Sequence, residues 1–271
     1  MKLHPRLIES IGQTLILAYK EPTEPLETAL TQAGCHCKAL RQTHQPGYTT
    51  YSRSFLCLLN HQQAWQLAAQ SAQPTLIVEA DFVPVLNFGQ LAVPFDSQDE
   101  KFGLAWLYTC AAQAYSLTPA GYALGYSTSM VAYVLSPAAA QLLLQLAAEV
   151  AQNPGPTAYT PWDSGIEYYL RDRGLNNYVP FRNYGEHGGK PNPEHQQNRL
   201  SKAHRADILY GPLAFAPVYT AVEANVRLKA RLKGIGRLLL GKYLRPPVFL
   251  SSDRPWPLLR FALSRHLTWR I

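Results

Sequence analysis

The sequence has no run of about 18 consecutive apolar residues anywhere in its 271 residues, so it predicts no helix that spans a membrane. The opening residues Met1 to Pro5 also lack the apolar core of a signal peptide, so secretion is not indicated. Together these absences predict a cytoplasmic location. With 47% hydrophobic residues, the chain is long enough to bury one large core or two smaller ones.

Cysteine is also scarce, and its spacing excludes the usual structural uses. Only four are present, namely Cys35, Cys37, Cys57 and Cys110. Cys35 and Cys37 are too close together for a usual zinc knuckle, and no second pair completes a site. The pattern favours free thiols over a metal centre or a disulfide.

Acidic residues are almost missing from the C-terminal part of the chain. From Arg227 onward the single acid is Asp253, against eleven basic residues, which leaves a local charge of +10 within an overall charge of +7. The preceding part is mildly acidic. The tail is therefore the part of the protein that attracts anions.

Residues 227–245 alternate these basic residues with leucine, isoleucine and tyrosine. A basic amphipathic helix of this kind is typical of proteins that lie on anionic membrane surfaces. Two alternatives remain: nucleic acid attracts the same charges, and the leucines could instead pack on the protein core. The aliphatic face and the absence of a nucleic-acid motif favour the membrane, and no nucleic-acid partner is expected.

Apolar runs and helical segments alternate along the rest of the chain. Strands are predicted at 13–19, 75–78, 102–108 and 125–135, and helices at 26–33, 52–69, 138–150 and 162–170. Ser136 and Pro137 form a typical helix start, with serine as the cap and proline in the first turn. This rhythm predicts an α/β fold with a mostly parallel central sheet flanked by helices, followed by a basic helical C-terminal extension.

Two carboxylates end the most apolar of these strands. Thr75 to Val78 read as a strand buried on both faces, and Glu79 and Asp81 follow at its carboxyl end. Ligands of open α/β sheets bind beyond the carboxyl ends of the strands. A divalent cation bound to a diphosphate is the partner that such a pair favours. The alternative is that both side chains only solubilise a turn.

Other candidate residues lie further apart in the sequence. His61 interrupts a largely apolar helix, where a histidine is more often a packing residue than a catalytic one. Asp163 and Glu167 are four residues apart, which places them on one face of a helix. The polar stretch 180–195 and the following residues 204–207 offer His187 as a further metal ligand, and Lys190 and Arg205 as diphosphate contacts. This stretch could instead be an ordinary surface loop.

The order and spacing of these segments resemble the lipopolysaccharide-biosynthesis glycosyltransferases of family 25, over about residues 14–170. Cys57 and Asn60-His61 match a cysteine and a Ser-His-containing helix, and Glu79-Ala80-Asp81 matches a Glu-Asp-Asp motif. Val131 to Ser136 is similar to an Ala-Tyr-hydrophobic-Ser segment, and Asp163 matches an aspartate that follows a proline-rich loop.

The resemblance implies a nucleotide-sugar-binding fold of the GT-A type, a divalent cation, Mn²⁺ or Mg²⁺, and inverting transfer of a sugar from a nucleotide-diphosphate donor to a hydroxyl of a glycan or lipid-linked acceptor. Asp81, Glu79 and His187 are then the expected metal ligands, with Glu79 also placed on the ribose. Lys190, Arg205 and His61 complete the donor site, and Asp163, or Glu167 as second choice, is the expected base.

Together with the basic tail, this predicts two parts of the chain: a nucleotide-sugar-binding catalytic domain, residues 1–220, and a basic amphipathic extension, residues 221–271, which is expected at the inner face of the membrane. Two departures from the family pattern support a competing hypothesis. Ala80 replaces the middle carboxylate of the triplet, and Lys20 to Glu24 replace an arginine-rich stretch. A non-catalytic, membrane-associated protein that binds nucleotides or glycans on the same fold fits these departures.

Overall fold

The computed structural model describes residues 5–189, 204–221 and 225–268. Ten strands are present in this part of the chain: β1 Gln13–Ala18, β2 Cys37–Arg41, β3 Thr75–Glu79, β4 Phe82–Pro84, β5 Phe102–Trp106, β6 Gln113–Leu117, β7 Ala123–Tyr126, β8 Ala132–Leu135, β9 Asn176–Val179 and β10 Gly185–His187. The α-helices are α1 Glu24–Gln32, α2 Arg53–Ala69, α3 Pro137–Gln152, α4 Ile166–Arg171, α5 Val226–Leu239, α6 Pro246–Ser251 and α7 Pro255–Leu267. Short 3₁₀ helices occur at Leu7–Glu9, Pro46–Thr50, Phe88–Gln90, Trp162–Gly165 and Val218–Ala221.

Eight of the strands form one mixed sheet in the order β2-β1-β3-β8-β5-β9-β7-β6. Strands β2, β1 and β3 are mutually parallel, β5 and β9 are parallel, and β8 and β7 run antiparallel to their neighbours. Six of the eight strands therefore point in the same direction. The predicted α/β class and the mostly parallel sheet are confirmed, and the carboxyl ends of β1, β3, β5 and β9 meet at one edge.

Consecutive residues of the central strands enter two different cores, because side chains of a strand alternate between its faces. Leu15, Leu17 and Ile77 pack under α2 and α3 on one face, whereas Ile16 and Leu76 pack with α1 on the other. Helices therefore flank the sheet on both sides. Serine hydroxyls cap two of these helices: Ser52 Oγ accepts a hydrogen bond from the Phe55 N–H, and Ser136 Oγ accepts one from the Ala139 N–H.

The structure corrects one predicted strand and adds several others. The segment 125–135 is not a single strand, because β7 ends at Tyr126 and β8 begins only at Ala132. Serine side chains turn the chain between them: Ser127 Oγ bonds to both the N–H and the carbonyl of Cys110. Strands β2, β4, β6, β9 and β10 were not predicted: β4 and β10 span only three residues, and β2, β6 and β9 mix polar with apolar side chains.

The C-terminal helices pack against the far edge of the sheet. Tyr243 and Leu244, together with Leu258 and Ala262 of α7, enclose Ala114 of β6 in a third apolar cluster. The opposite side of these helices is open to solvent. The buried face of α5 consists of Val226, Ala230 and Gly234, while its larger side chains Leu228 and Leu232 are 55% and 59% exposed.

The described residues contain no helix that combines the length and the apolar character needed to cross a bilayer. All four cysteines are free thiols, as their spacing predicts. The division at residues 220 and 221 stays a prediction.

Candidate functional site

The candidate site begins at the carboxyl end of β3, where a small second sheet brings two distant segments together. Strands β4 and β10 pair antiparallel, with His187 opposite Phe82. Because Asp81 directly precedes Phe82, this register places the two side chains side by side. The His187 Nε2 atom lies 3.0 Å from Asp81 Oδ2.

The two groups form an ion pair. Burial by itself lowers the pKa of His187, but the adjacent Asp81 carboxylate outweighs burial and raises that pKa to about 9. Burial raises the pKa of Asp81 in turn, and the charge and hydrogen bond of His187 more than reverse this and leave the pKa below its ordinary value. Asp81 is therefore a fixed anionic centre at neutral pH.

The backbone after His187 folds closely over Asp81. The Gly188 N–H donates a hydrogen bond of 2.8 Å to the Asp81 carbonyl oxygen. At Gly189 a Cβ would lie only 2.0 Å from Asp81 Oδ2, so any larger residue would collide with the carboxylate. Glycine lets the chain approach the acid directly without displacing its side chain.

Three potential ligand atoms converge at this point. One oxygen each from Glu79 and Asp81 and one ring nitrogen of His187 all lie within 4.8 Å of one another. Asp81 Oδ1 and His187 Nδ1 are buried and have no hydrogen-bond partner within the described residues, although buried polar atoms are normally paired. Two carboxylates and one imidazole fit Mn²⁺, with Mg²⁺ less suited to the imidazole. Binding of the cation would displace the extra ring proton of His187, because only the neutral imidazole offers a lone pair. The residues present thus fit the cation that the sequence predicts. We refer to Glu79, Asp81 and His187 as the cation cluster.

A chain of hydrogen bonds holds Glu79 in place. Trp65 Nε1 lies 2.8 Å from the Tyr133 hydroxyl, which lies 2.8 Å from His61 Nδ1. On the other side of the ring, His61 Nε2 lies 3.1 Å from Glu79 Oε1. An indole N–H can only donate, so Tyr133 accepts from Trp65 and gives its own proton to His61 Nδ1.

This donor order determines the tautomer of His61. Since Nδ1 accepts, Nε2 carries the proton and donates it to Glu79. The structure thus places His61 as a buried residue that orients a candidate ligand. Cys57, His61 and Glu79 are also close enough to one another to bind a second metal ion. However, a protonated Nε2 has no lone pair for a metal, so His61 cannot serve as a ligand there. Sequence reasoning missed Tyr133 and Trp65, although a tyrosine within a buried strand is a signal for such a partner.

The structure separates Asp163 from Glu167. Residues Trp162–Gly165 form a 3₁₀ turn, and the α-helix begins only at Ile166, so the four-residue spacing does not place the two acids on one face. Asp163 lies near the cation cluster: burial, with a contribution from the charge of Glu79, raises its pKa to about 6 against the opposing Ser164 N–H. Such a carboxylate is ionised at neutral pH but still basic.

Glu167 lies elsewhere, on the buried side of α4. Its side chain is 2% exposed, and its Oε1 atom is 3.2 Å from the exposed guanidinium of Arg171. Burial raises the pKa of Glu167 to about 7, and Arg171 offsets only part of that rise. The base role that the sequence assigns first to Asp163 and then to Glu167 stays a prediction, and the arrangement favours Asp163.

Arg205 bonds the segment that starts at His204 to the backbone beside the cation cluster. Its Nη1 atom donates to the His187 carbonyl at 3.0 Å, and its Nη2 atom donates to the Gly189 carbonyl at 3.0 Å. Its guanidinium also stacks on the ring of Tyr219, 4.1 Å from the ring centre. Arg205 is therefore adjacent to the cation cluster, whereas Lys190 lies outside the described residues.

No protein-family model matches this chain, and no curated protein sequence matches it. Solved structures are similar at low identity. A glycosyltransferase involved in the glycosylation of the major capsid of PBCV-1 is 16% identical over 62% of this chain and 81% of its own, with a TM-score of 0.41. A mutant Drosophila β-1,4-galactosyltransferase 7 in complex with manganese, UDP-Gal and xylobiose is 14% identical over 62% of this chain and 65% of its own, with a TM-score of 0.34. These values assign the chain to no family.

Proposed function

We propose that the protein is a metal-dependent glycosyltransferase of the GT-A type, which moves a sugar from a nucleotide-diphosphate donor to a hydroxyl of a glycan or lipid-linked acceptor. One observation carries the proposal: Glu79, Asp81 and His187 converge at the carboxyl end of β3, with the basic carboxylate Asp163 close by. A cation site for a diphosphate and a carboxylate for a hydroxyl proton are what this reaction requires.

Each group has a defined task in this proposal. A cation held by Glu79, Asp81 and His187 would stabilise the charge that develops on the leaving diphosphate. Asp163 accepts the proton of the acceptor hydroxyl as the oxygen attacks, and a single displacement inverts the anomeric centre. His61 keeps the Glu79 carboxylate turned toward the cation and the donor ribose. Arg205 adds a positive charge beside the diphosphate.

The tail supports a location at the cytoplasmic face of a membrane. Leu228 and Leu232 are exposed beside basic residues, so residues 227–245 offer both charge and apolar surface to an anionic bilayer. An acceptor of the lipopolysaccharide type, built on a lipid carrier, fits this location.

A second candidate function is non-catalytic binding of a nucleotide or glycan on the same scaffold. Ala80 favours it, since an alanine between the two acids removes one potential cation ligand. Turnover of a donor distinguishes the two functions, because only the enzyme hydrolyses or transfers the sugar.

The test is a screen of nucleotide-diphosphate sugars for Mn²⁺-dependent hydrolysis and transfer, combined with calorimetry of nucleoside-diphosphate binding. We expect wild type to hydrolyse one donor, and Asp81→Asn to lose Mn²⁺-dependent binding while its circular dichroism spectrum shows that the fold is kept. Glu100→Gln, an exposed acid away from the cluster, is the matched control. Binding without turnover would favour the second candidate, and unchanged binding by Asp81→Asn would refute the cation site.

A further inference from the structure

A separate cavity of about 200 Å³ lies beside the cation cluster. It is enclosed by the segment that follows β5, by the loop that starts at His204, and by one face of α5. Four basic side chains line it, namely Arg205, Lys229, Lys233 and Arg237. We refer to it as the basic cavity.

The positive charge of the basic cavity is not neutralised within the described residues. Lys229, Lys233 and Arg237 recur every four residues, so α5 presents all three on one face. Neither lysine forms an ion pair with a described carboxylate. Among the described lining residues the one carboxylate is Asp207, and it already forms an ion pair with Arg265.

Hydrogen bonds and close packing fix the shape of the cavity wall. Arg237 Nη2 donates to the carbonyl oxygens of Ala111 and Ala112 at 2.9 and 3.0 Å. Ala111 has a φ of +51°, a left-handed conformation that costs free energy for an alanine and is concentrated at functional sites. Gly234 lets α5 approach closely, because a Cβ there would lie 2.7 Å from the Asp207 side chain.

The size of the cavity limits its ligand. Pockets for whole small molecules measure about 300–1,000 Å³, so a cavity of about 200 Å³ fits a phosphate or diphosphate group rather than a complete nucleotide sugar. Guanidinium and ammonium groups around a fixed cavity are the donors that bind phosphate oxygens.

The basic cavity adjoins the cation cluster. Arg205 lines the cavity, and its guanidinium also donates hydrogen bonds to the carbonyl oxygens of His187 and Gly189 beside that cluster. A ligand anchored in the cavity is therefore held next to the candidate reaction centre.

We propose that the basic cavity binds the phosphate or diphosphate group of a phosphorylated acceptor, separately from the cation that binds the donor. The cavity anchors the acceptor by its anionic end and holds the rest of the acceptor beside the cation cluster. The acceptor role rests on the proposed glycosyl transfer, whereas the binding of the anion does not depend on it.

The first test is calorimetry with inorganic pyrophosphate in the presence of EDTA, which leaves the cation cluster empty. We expect the double variant Lys229→Gln/Lys233→Gln to bind at least about tenfold more weakly than wild type. The matched control is Arg227→Gln/Arg260→Gln, which removes the same charge from exposed positions outside the cavity and should bind like wild type. Asp81→Asn should also bind like wild type.

Three results would overturn the proposal: no pyrophosphate binding by wild type, an equal loss in the control variant, or a loss in Asp81→Asn. An equal loss in the control would indicate general charge attraction, and a loss in Asp81→Asn would place the anion on the cation cluster. Thermal unfolding of every variant checks that the fold is kept.

A second test distinguishes the source of the phosphate. Farnesyl diphosphate in phosphatidylcholine vesicles represents a lipid-linked acceptor, and glucose 1-phosphate represents a soluble one. Competition with pyrophosphate by only one of them identifies the source, and competition by neither would overturn the acceptor role. Should wild type turn over no nucleotide sugar, the proposed function fails while pyrophosphate binding still stands.

Discussion

Arg265 of α7 forms a two-point ion pair with Asp207, joining the C-terminal helices to the loop beside the candidate site. Nη2 lies 2.8 Å from Oδ1, and Nη1 contacts Oδ2. The guanidinium is 1% exposed, so it has left water almost completely. Burial alone would raise the pKa of Asp207, and the charge of Arg265 reverses that shift and lowers the pKa.

Breaking this ion pair from one side should destabilise the protein strongly. We expect Arg265→Met to lower the free energy of unfolding by about 3–5 kcal/mol, because it leaves a mostly buried carboxylate without its partner. Denaturant titration measures the loss. Arg260→Met, at an exposed position of the same helix, should change the free energy by no more than about 0.5 kcal/mol.

The double variant Asp207→Asn/Arg265→Met completes the cycle. Since replacing both partners removes the unpaired charge, the double variant should be more stable than Arg265→Met alone. A single variant as stable as wild type would show that the ion pair contributes nothing to folding.

The second prediction concerns the hydrogen-bond chain that ends on Glu79. Tyr133→Phe removes the hydroxyl and leaves the Trp65 N–H and His61 Nδ1 unpaired in the core, at a cost of about 1–3 kcal/mol for each group. Because the orientation of Glu79 depends on His61, Mn²⁺ affinity should also fall by about 10- to 100-fold.

Trp65→Phe is the comparison for this variant, since Tyr133 can still donate to His61 once the indole is gone. Its Mn²⁺ affinity should stay within a few-fold of wild type. Equal affinities in all three proteins would mean that the chain has no part in positioning Glu79.

The third prediction is the pH dependence of turnover. With a pKa of about 6, Asp163 is protonated below that pH and cannot accept a proton. We therefore expect kcat/KM to rise as the pH increases through about 6 and then to level off. Asp163→Asn should lower turnover by a factor on the order of 100 and abolish this rise.

Glu167→Gln decides between the two carboxylates, because it makes the same replacement of a carboxylate by an amide in α4, away from the cation cluster. Turnover near the wild-type value is expected, with the rise near pH 6 intact. A large loss in Glu167→Gln, together with an active Asp163→Asn, would transfer the base role to Glu167.

The fourth prediction concerns the exposed leucines of α5. Each leucine that enters a bilayer contributes roughly 1.5–3 kcal/mol, so Leu228→Gln/Leu232→Gln should bind anionic vesicles at least about tenfold more weakly without loss of stability. Co-sedimentation with vesicles measures this binding, and Leu86→Gln, at an exposed leucine outside the tail, is the control. Stronger binding of wild type to duplex DNA than to vesicles would favour the nucleic-acid alternative.

Local sequence signals predicted much of the fold. Strands that are continuous apolar runs, such as β3, and helices with clear caps, such as α3, can be recognised from the sequence alone. Short strands do not: β10 spans three residues and forms only because β4 pairs with it, and that pairing depends on the tertiary fold. The single strand predicted for 125–135 was wrong because periodicity cannot detect a serine-bonded turn within an apolar run.

The sequence predicts only those residues of the candidate site that directly follow a recognisable strand. Glu79 and Asp81 follow a buried strand, so their position is visible in the sequence. The hydrogen bond between Tyr133 and His61 joins residues 72 positions apart, and no local pattern predicts it. The 3₁₀ turn at Trp162–Gly165 separated two acids that an ideal helix would have aligned.

The ribbon formed by β4 and β10 makes the cation cluster a non-local structure, since its His187–Asp81 contact joins residues 106 positions apart. Contacts of such high sequence separation close late, because a long loop must first be ordered. The ribbon has only two strands and pairs with no strand of the eight-stranded sheet, so fewer neighbouring strands hold its amides than hold those of β3. Amide hydrogens of the ribbon should therefore exchange with solvent sooner than those of β3, and a cation bound across Asp81 and His187 would slow that exchange.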